Sequence, residues 1–285
     1  MFLKKLKFLI VPFLCSSCIK EIPINLPEHE SVPVINAIIN SDSSMVVYLS
    51  QTVSIGSPLA DTLKYDSLQI FQNNTLFYST KFIKDTIHIF PKKLIAGKEY
   101  TLKAYFKNHL LTAKDIMPTL AEITVTNYKI NSRVDGTEMF YDECTLNYLH
   151  YGIATKYHEI LYEITSLHKY KYLQGVELKN SEYPNQNYSS EFNYLYTNNS
   201  NEKQAITLHC DLAKNDSDSL FILKFRTASH EYFKYKKTVG SHLENQDSDL
   251  WQGTGNPSRL YSNIEGGYGI FAMYQESRDT IIVIQ

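Results

Sequence analysis

The amino-acid sequence predicts a mainly β protein: an N-terminal Ig-like β-sandwich, then a second β-rich domain that packs one helix. Three observations carry this. Seven short runs rich in β-branched and aromatic residues fall between residues 32 and 118, divided by turn residues and free of any helical period. The second half continues in the same style, with EITVTNYKI, MFYDECTLNYL, HEILYEITSL, AITLHCDL and SLFILKFRT as strand candidates. A clear helical stripe occurs once, where Tyr232, Tyr235, Val239 and Leu243 share a face. At 285 residues, 43% hydrophobic and 20% charged, the chain is long enough for two cores and too apolar for a disordered one.

The elements follow in chain order. Residues 1–17 read as an export signal: Lys4, Lys5 and Lys7 precede the apolar run Phe8–Leu14, which is too short to remain in a bilayer as a spanning helix. The run ends on Ser16-Ser17-Cys18, small residues before a cysteine that resemble the lipobox of bacterial lipoproteins. By that resemblance Cys18 receives acyl chains and becomes the first residue of the mature protein. Cys15 stands where a lipobox usually carries Leu, and plain secretory cleavage after Ser17 is the alternative. Residues 18–31 hold Pro23 and Pro27 with no apolar period, which predicts an extended tether.

The sandwich is expected over 32–118. Its clearest strand alternates Tyr100, Leu102, Ala104 and Phe106 with Glu99, Thr101 and Lys103, after a turn at Gly97. Pro118 closes the unit, and residues 119–285 form the second domain. Within it, 174–202 is polar and Asn-rich, which suggests long loops or irregular hairpins. The helix is expected near 229–245, capped by Ser229 with Glu231 at its positive end.

Beyond the helix the sequence predicts a loop of more than twenty residues that contains Trp251 and Tyr261. These aromatics are the candidate partner contacts, since aromatic anchors on an ordered loop carry contact energy; the competing reading buries them over the sheet. Gly266 and Gly267 read as a turn, and Gly269, inside the next strand, as a bulge or a close neighbour. These glycines lead into a strand rather than a helix, so a phosphate-binding loop is not indicated.

Chemistry-bearing patterns are sparse. GxSxG, HExxH and P-loop motifs do not occur, the one CxxC pattern is Cys15–Cys18 at the end of the export signal, and the nine histidines are scattered, so neither a catalytic residue, a metal site nor a cofactor is expected. Asn215-Asp216-Ser217-Asp218 lacks the glycine and distal Glu of a calcium loop and reads as a turn. Asp142 and Glu143, adjacent in a strand, face opposite ways. Cys144 and Cys210 could form a cross-strand disulfide or stay as buried thiols. Without the three signal lysines, 25 Lys and Arg face 30 Asp and Glu, and no basic run remains to bind nucleic acid. The 22 tyrosines against one Trp suit a binding surface, although a strand-rich fold alone accounts for them.

The lipobox cysteine, VPVINAIIN, GKEYTLKA with LTAKDIMP, HEYFKYKKTVG and the closing NPSRLYSNIEGGYGIFAMY together resemble the Bacteroidota lipoproteins of family 4249 of the domains of unknown function. The resemblance spans nearly the whole mature chain, and its closing segment is the most specific part. Ala37 and Ala272 stand where members often carry Gly. The resemblance implies a non-enzymatic, lipid-anchored protein of the outer membrane, on either leaflet, working beside a TonB-dependent transporter. It brings no catalytic residues. A structural or adhesion lipoprotein is the alternative expectation, and an enzyme with a dispersed catalytic set ranks third.

Overall fold

The structure is a computed structural model. It describes residues 30–54, 65–83, 86–107, 109–133, 140–149, 156–166, 171–174, 177–178, 188–190, 193–198, 204–210, 218–252 and 258–284. The first half holds β1 (Pro33–Asn40), β2 (Met45–Gln51), β3 (Tyr65–Gln72), β4 (Thr75–Ile83), β5 (Ile87–Phe90), β6 (Glu99–Phe106) and β7 (His109–Ile116). The second holds β8 (Glu122–Arg133), β9 (Phe140–Leu149), β10 (Lys156–Ser166), β11 (Lys171–Gln174), β12 (Glu177–Leu178), β13 (Tyr188–Ser190), β14 (Asn193–Asn198), β15 (Gln204–Cys210) and β16 (Asp218–Ala228). Helix α1 (His230–Gln252) and β17 (Tyr268–Ile284) complete the order. Cys18 and the rest of the signal and tether up to residue 29, like Asn215-Asp216-Ser217, lie outside the described residues.

The chain is mainly β, and its first half has the strand pairing of an Ig-type sandwich. One layer is β4-β3-β6-β7 and the other contains β1-β2-β5, so that β2–β3 and β4–β5 each cross between layers. Period-two alternation produces this: Tyr100, Leu102, Ala104 and Phe106 are buried in the sandwich core, as are Ile35, Ala37 and Ile39 of β1 and Met45, Val47 and Leu49 of β2. The β3–β4 hairpin turns on Asn73 and Asn74, both at positive φ, and Gly97 (φ 72°) makes the turn before β6.

The boundary read at Pro118 divides the sequence but not the sheets. β1 pairs in parallel with β17, from Val34 opposite Tyr268 to Asn40 opposite Tyr274. The largest sheet therefore runs β13-β14-β10-β16-β17-β1-β2-β5, with β11 also on β10, through both halves. Ile264, Phe271 and Met273 complete the core of the first sandwich. A third sheet, β12-β15-β9-β8, belongs to the second half alone. Side chains of β17 also hold the connection between the halves: Gln275 donates to the Pro118 carbonyl at 2.8 Å and Ser277 to that of Ala121 at 2.6 Å.

The C-terminal glycines stand where β17 approaches the first half. A Cβ on Gly269, which has φ 112°, would lie 2.0 Å from the Ile35 carbonyl oxygen. One on Gly267 would lie 2.6 Å from the Pro33 carbonyl oxygen, and one on Gly266 2.7 Å from that of Leu110. Both expectations for Gly269 come together here, a special backbone shape and a close neighbour.

Candidate functional site

Helix α1 begins where β16 ends. Ser229 Oγ accepts the Tyr232 N–H at 3.1 Å, the N-cap bond, and its carbonyl accepts the Phe233 N–H at 3.0 Å. The Ser229 N–H donates to the Met273 carbonyl at 2.9 Å, which stitches the cap to β17. The expected stripe is partly realised: Tyr232 is fully buried and Tyr235 half-buried against Ala228, Ile270 and Ala272. The helix is longer than expected, ending at Gln252 rather than near 245. Its apolar stripe stops earlier, but Ser241–Gln252 contains neither proline nor glycine, and the first breaker is Gly253.

That extension moves Trp251 from the expected loop into the last turn of α1; its side chain is outside the described set. Tyr261, the second candidate contact, lies against the helix. Its hydroxyl donates to the Glu231 carboxylate, its N–H to Thr238 Oγ1 at 3.0 Å, and Lys234 Nζ stands 5.2 Å from its ring centroid. Burial first, then the Glu231 carboxylate, raises its hydroxyl above the ordinary range. His242 Nδ1 donates to the Ser258 carbonyl at 2.7 Å, so the segment from Ser258 follows the helix. The two aromatics therefore sit on different elements.

The strongest polar constellation escaped the sequence reading. Register puts Glu159, Arg226 and Glu276 in one row across β10, β16 and β17. Arg226 Nη1 donates to Glu159 at 2.9 Å and to the Tyr232 hydroxyl at 3.0 Å, and its Nε donates to Glu276 at 2.8 Å. The Tyr232 hydroxyl in turn donates to Glu159. Lys236 comes down from α1 to 3.3 Å from the other Glu159 oxygen, and Arg278 donates to Glu276 at 2.7 Å. The Arg226 guanidinium lies 4.6 Å from the Tyr274 ring centroid.

Each charge here is countered. Burial opposes the Arg226 charge, yet Tyr232, Glu159, Tyr274 and Glu276 together hold it above its ordinary range. Burial likewise opposes ionisation of Glu276, but hydrogen bonds and charge from Arg226 and Arg278 leave it below the usual carboxylate range. Tyr232 is raised well above ordinary by burial, then by Glu159. Both carboxylates are closed to solvent at their side chains, 0% and 3% exposed, so neither can meet a substrate. The arrangement clamps α1 onto three strands. Sequence alone gives no signal for it, since each strand carries several charges and only the register aligns Glu159, Arg226 and Glu276.

Asp115, on β7, is a second buried carboxylate at the start of α1. Oδ1 accepts the Ile116 N–H at 2.8 Å, and Oδ2 is buried without a hydrogen-bond partner. Burial pushes its carboxyl up to about 7, with Glu231 adding to that and the Ser229 hydroxyl and the Ile116 and Met273 N–H groups opposing it. Among the described residues, no group of three or more His, Cys, Asp or Glu could hold a metal ion. In the β9–β15 register Cys144 pairs with Leu208 and Cys210 with Asp142, which makes the cysteines diagonal rather than direct backbone neighbours.

The surface offers a different feature. Along β1, β2 and β5, the outward positions are Val34, Asn36, Ile38, Asn40, Val46, Tyr48, Ser50, Ile87 and Ile89, with no charge among them. Ile38 is 40% exposed, Tyr48 52%, Ile87 49% and Ile89 59%. The opposite outer face of the same sandwich carries Lys103, Glu99 and Lys114, the last two 3.8 Å apart. A family model described as Domain of unknown function (DUF4249) matches residues 19–280. No curated protein matches the chain.

Proposed function

The chain belongs to the DUF4249 family, and from that premise we propose that it is a non-enzymatic lipoprotein of the outer membrane of a Bacteroidota cell. Acyl chains on Cys18 anchor it, and it serves a TonB-dependent transporter as an accessory or binding component. The observation that carries the reading is the N-terminal order: three lysines, a short apolar run, Ser16-Ser17-Cys18, then a proline-punctuated stretch. Several acyl chains, at about 0.8 kcal/mol per buried CH₂, give lasting attachment. The core charges support a binding role over catalysis, since the Glu159–Arg226–Glu276 row is spent on holding α1 and is closed to substrate.

Cys18→Ala is the test. Membrane fractionation should show the variant released while the parent sediments with outer membranes. A pull-down of the parent from detergent-solubilised membranes should bring down a transporter barrel. A variant that stays on the membrane in the parent's amount overturns the anchor, and a pull-down without a barrel overturns the accessory role.

A further inference from the structure

We propose that the uncharged outer face of β1, β2 and β5 rests on the lipid surface, so that the protein lies on the bilayer in a fixed orientation rather than swinging free. The proposal builds on the anchor at Cys18. The two outer faces of the sandwich differ in charge: one intersperses Glu99, Lys103 and Lys114 with exposed Tyr105, Leu110 and Ile116, while the other, flanked by α1 over Ile270 and Ala272, presents nine outward side chains without a charge. Register makes the apolar ones contiguous, since Tyr48 stands opposite Ile87 and Val46 opposite Ile89. Contiguous exposed apolar patches mark protein or membrane contacts.

The chain's own connectivity selects the lipid. Fourteen residues, 19–32, separate Cys18 from β1, a reach of about 50 Å at full extension. β1 is itself a strand of the uncharged face, and the tether enters at its foot, where Val32 and Thr52 exchange hydrogen bonds at 2.9 Å. So short a link holds the face near the bilayer at an effective concentration of the order of mM, at which a weak apolar contact suffices. The rim has the composition of a membrane interface. Tyr268, beside Val34, is 39% exposed, and the Arg259 guanidinium lies 5.6 Å from its ring centroid. Strand addition by a second copy is disfavoured, because edge strand β5 has four residues and runs into Pro91-Lys92-Lys93.

Photo-crosslinking from inside the native membrane tests this. A benzophenone side chain replaces Tyr48 in one full-length variant and Tyr105, exposed on the charged face, in another. After illumination, adducts are identified by mass, and the N-terminal peptide of the same sample is weighed for acyl chains. The expected result is a lipid adduct from position 48 at several times the yield from position 105. An adduct from position 48 to another protein or to a second copy overturns the proposal, as does equal lipid yield from both positions. Acyl chains present with no lipid adduct from position 48 overturn docking alone; acyl chains absent overturn the anchor and the docking with it.

Discussion

Replacing Asp115 by Asn takes one charge out of the seam between the sandwich and α1, and its effect can be worked out from the surroundings. Asp115 is 6% exposed, with one carboxylate oxygen bonded to the Ile116 N–H and the other unpartnered. Burial is the main reason its carboxyl stands at about 7 instead of 3.8. Between these values the folded protein keeps a proton that the unfolded chain has released. The folded state is therefore favoured most below about pH 4, loses stability as pH rises, and levels off above about pH 7. At about 1.36 kcal/mol per pH unit, the full cost at pH 8 reaches about 4 kcal/mol. Asn has no charge to bury and keeps an oxygen for Ile116. Asp115→Asn should unfold at higher urea concentration than the parent at pH 8, and the two midpoints should converge toward pH 4. Equal midpoints at every pH, or a variant weaker at pH 8 with the parent's pH slope, would refute the reasoning.

Three further outcomes follow from single contacts. Arg226→Met removes the guanidinium shared by two buried carboxylates, leaving Glu159 only Lys236 and Tyr232 and Glu276 only Arg278, and should cost about 3 kcal/mol in urea unfolding, with α1 losing amide protection before the sandwich does. Gly269→Ala places a methyl 2.0 Å from a backbone oxygen and should abolish the β1–β17 pairing, seen as rapid hydrogen exchange in Ile35–Ile39. Cys144 and Cys210 should both be alkylated on unfolding without reductant, because diagonal neighbours stand about 7–8 Å apart, beyond ordinary disulfide reach; a linked peptide pair would contradict the register.

What the sequence made legible was local. Alternation in residues 99–106 located β6 and its buried side, and Ser229 announced the start of α1, because both signals lie within a few residues. Gly269 was readable as a constrained position, though not which backbone it approaches. The end of α1 is not legible in its apolar stripe, because polar helical turns continue until a breaker stops them. The Glu159–Arg226–Glu276 row was illegible for another reason. Each residue alone looks like the solvated face of a strand, and only the register across β10, β16 and β17 makes them partners. The parallel pairing of β1 with β17 was least accessible of all, since it joins opposite ends of the chain with no local signal.

That pairing decides how the two halves depend on each other. Along β17, residues Tyr268–Tyr274 pair with β1, and Tyr274–Ile284 pair with β16, so the strand changes partner at Tyr274. Where β16 leaves, α1 starts, and it covers the face that β16 no longer flanks. Alternation then splits the run Ile270–Met273 between two cores: Phe271 and Met273 enter the sandwich, Ile270 and Ala272 lie under α1. Four consecutive residues of one strand thus close both. The first sandwich lacks the second strand neighbour of β1 and part of its core until the C-terminal strand is in place, although its other strands come from residues 33–116. Non-local closure of this kind costs loop entropy before it returns contacts, which makes folding slow and late. For a chain read as exported, late closure is compatible with crossing a membrane unfolded, and it ties the order of the face beside the tether to a strand more than 230 residues away.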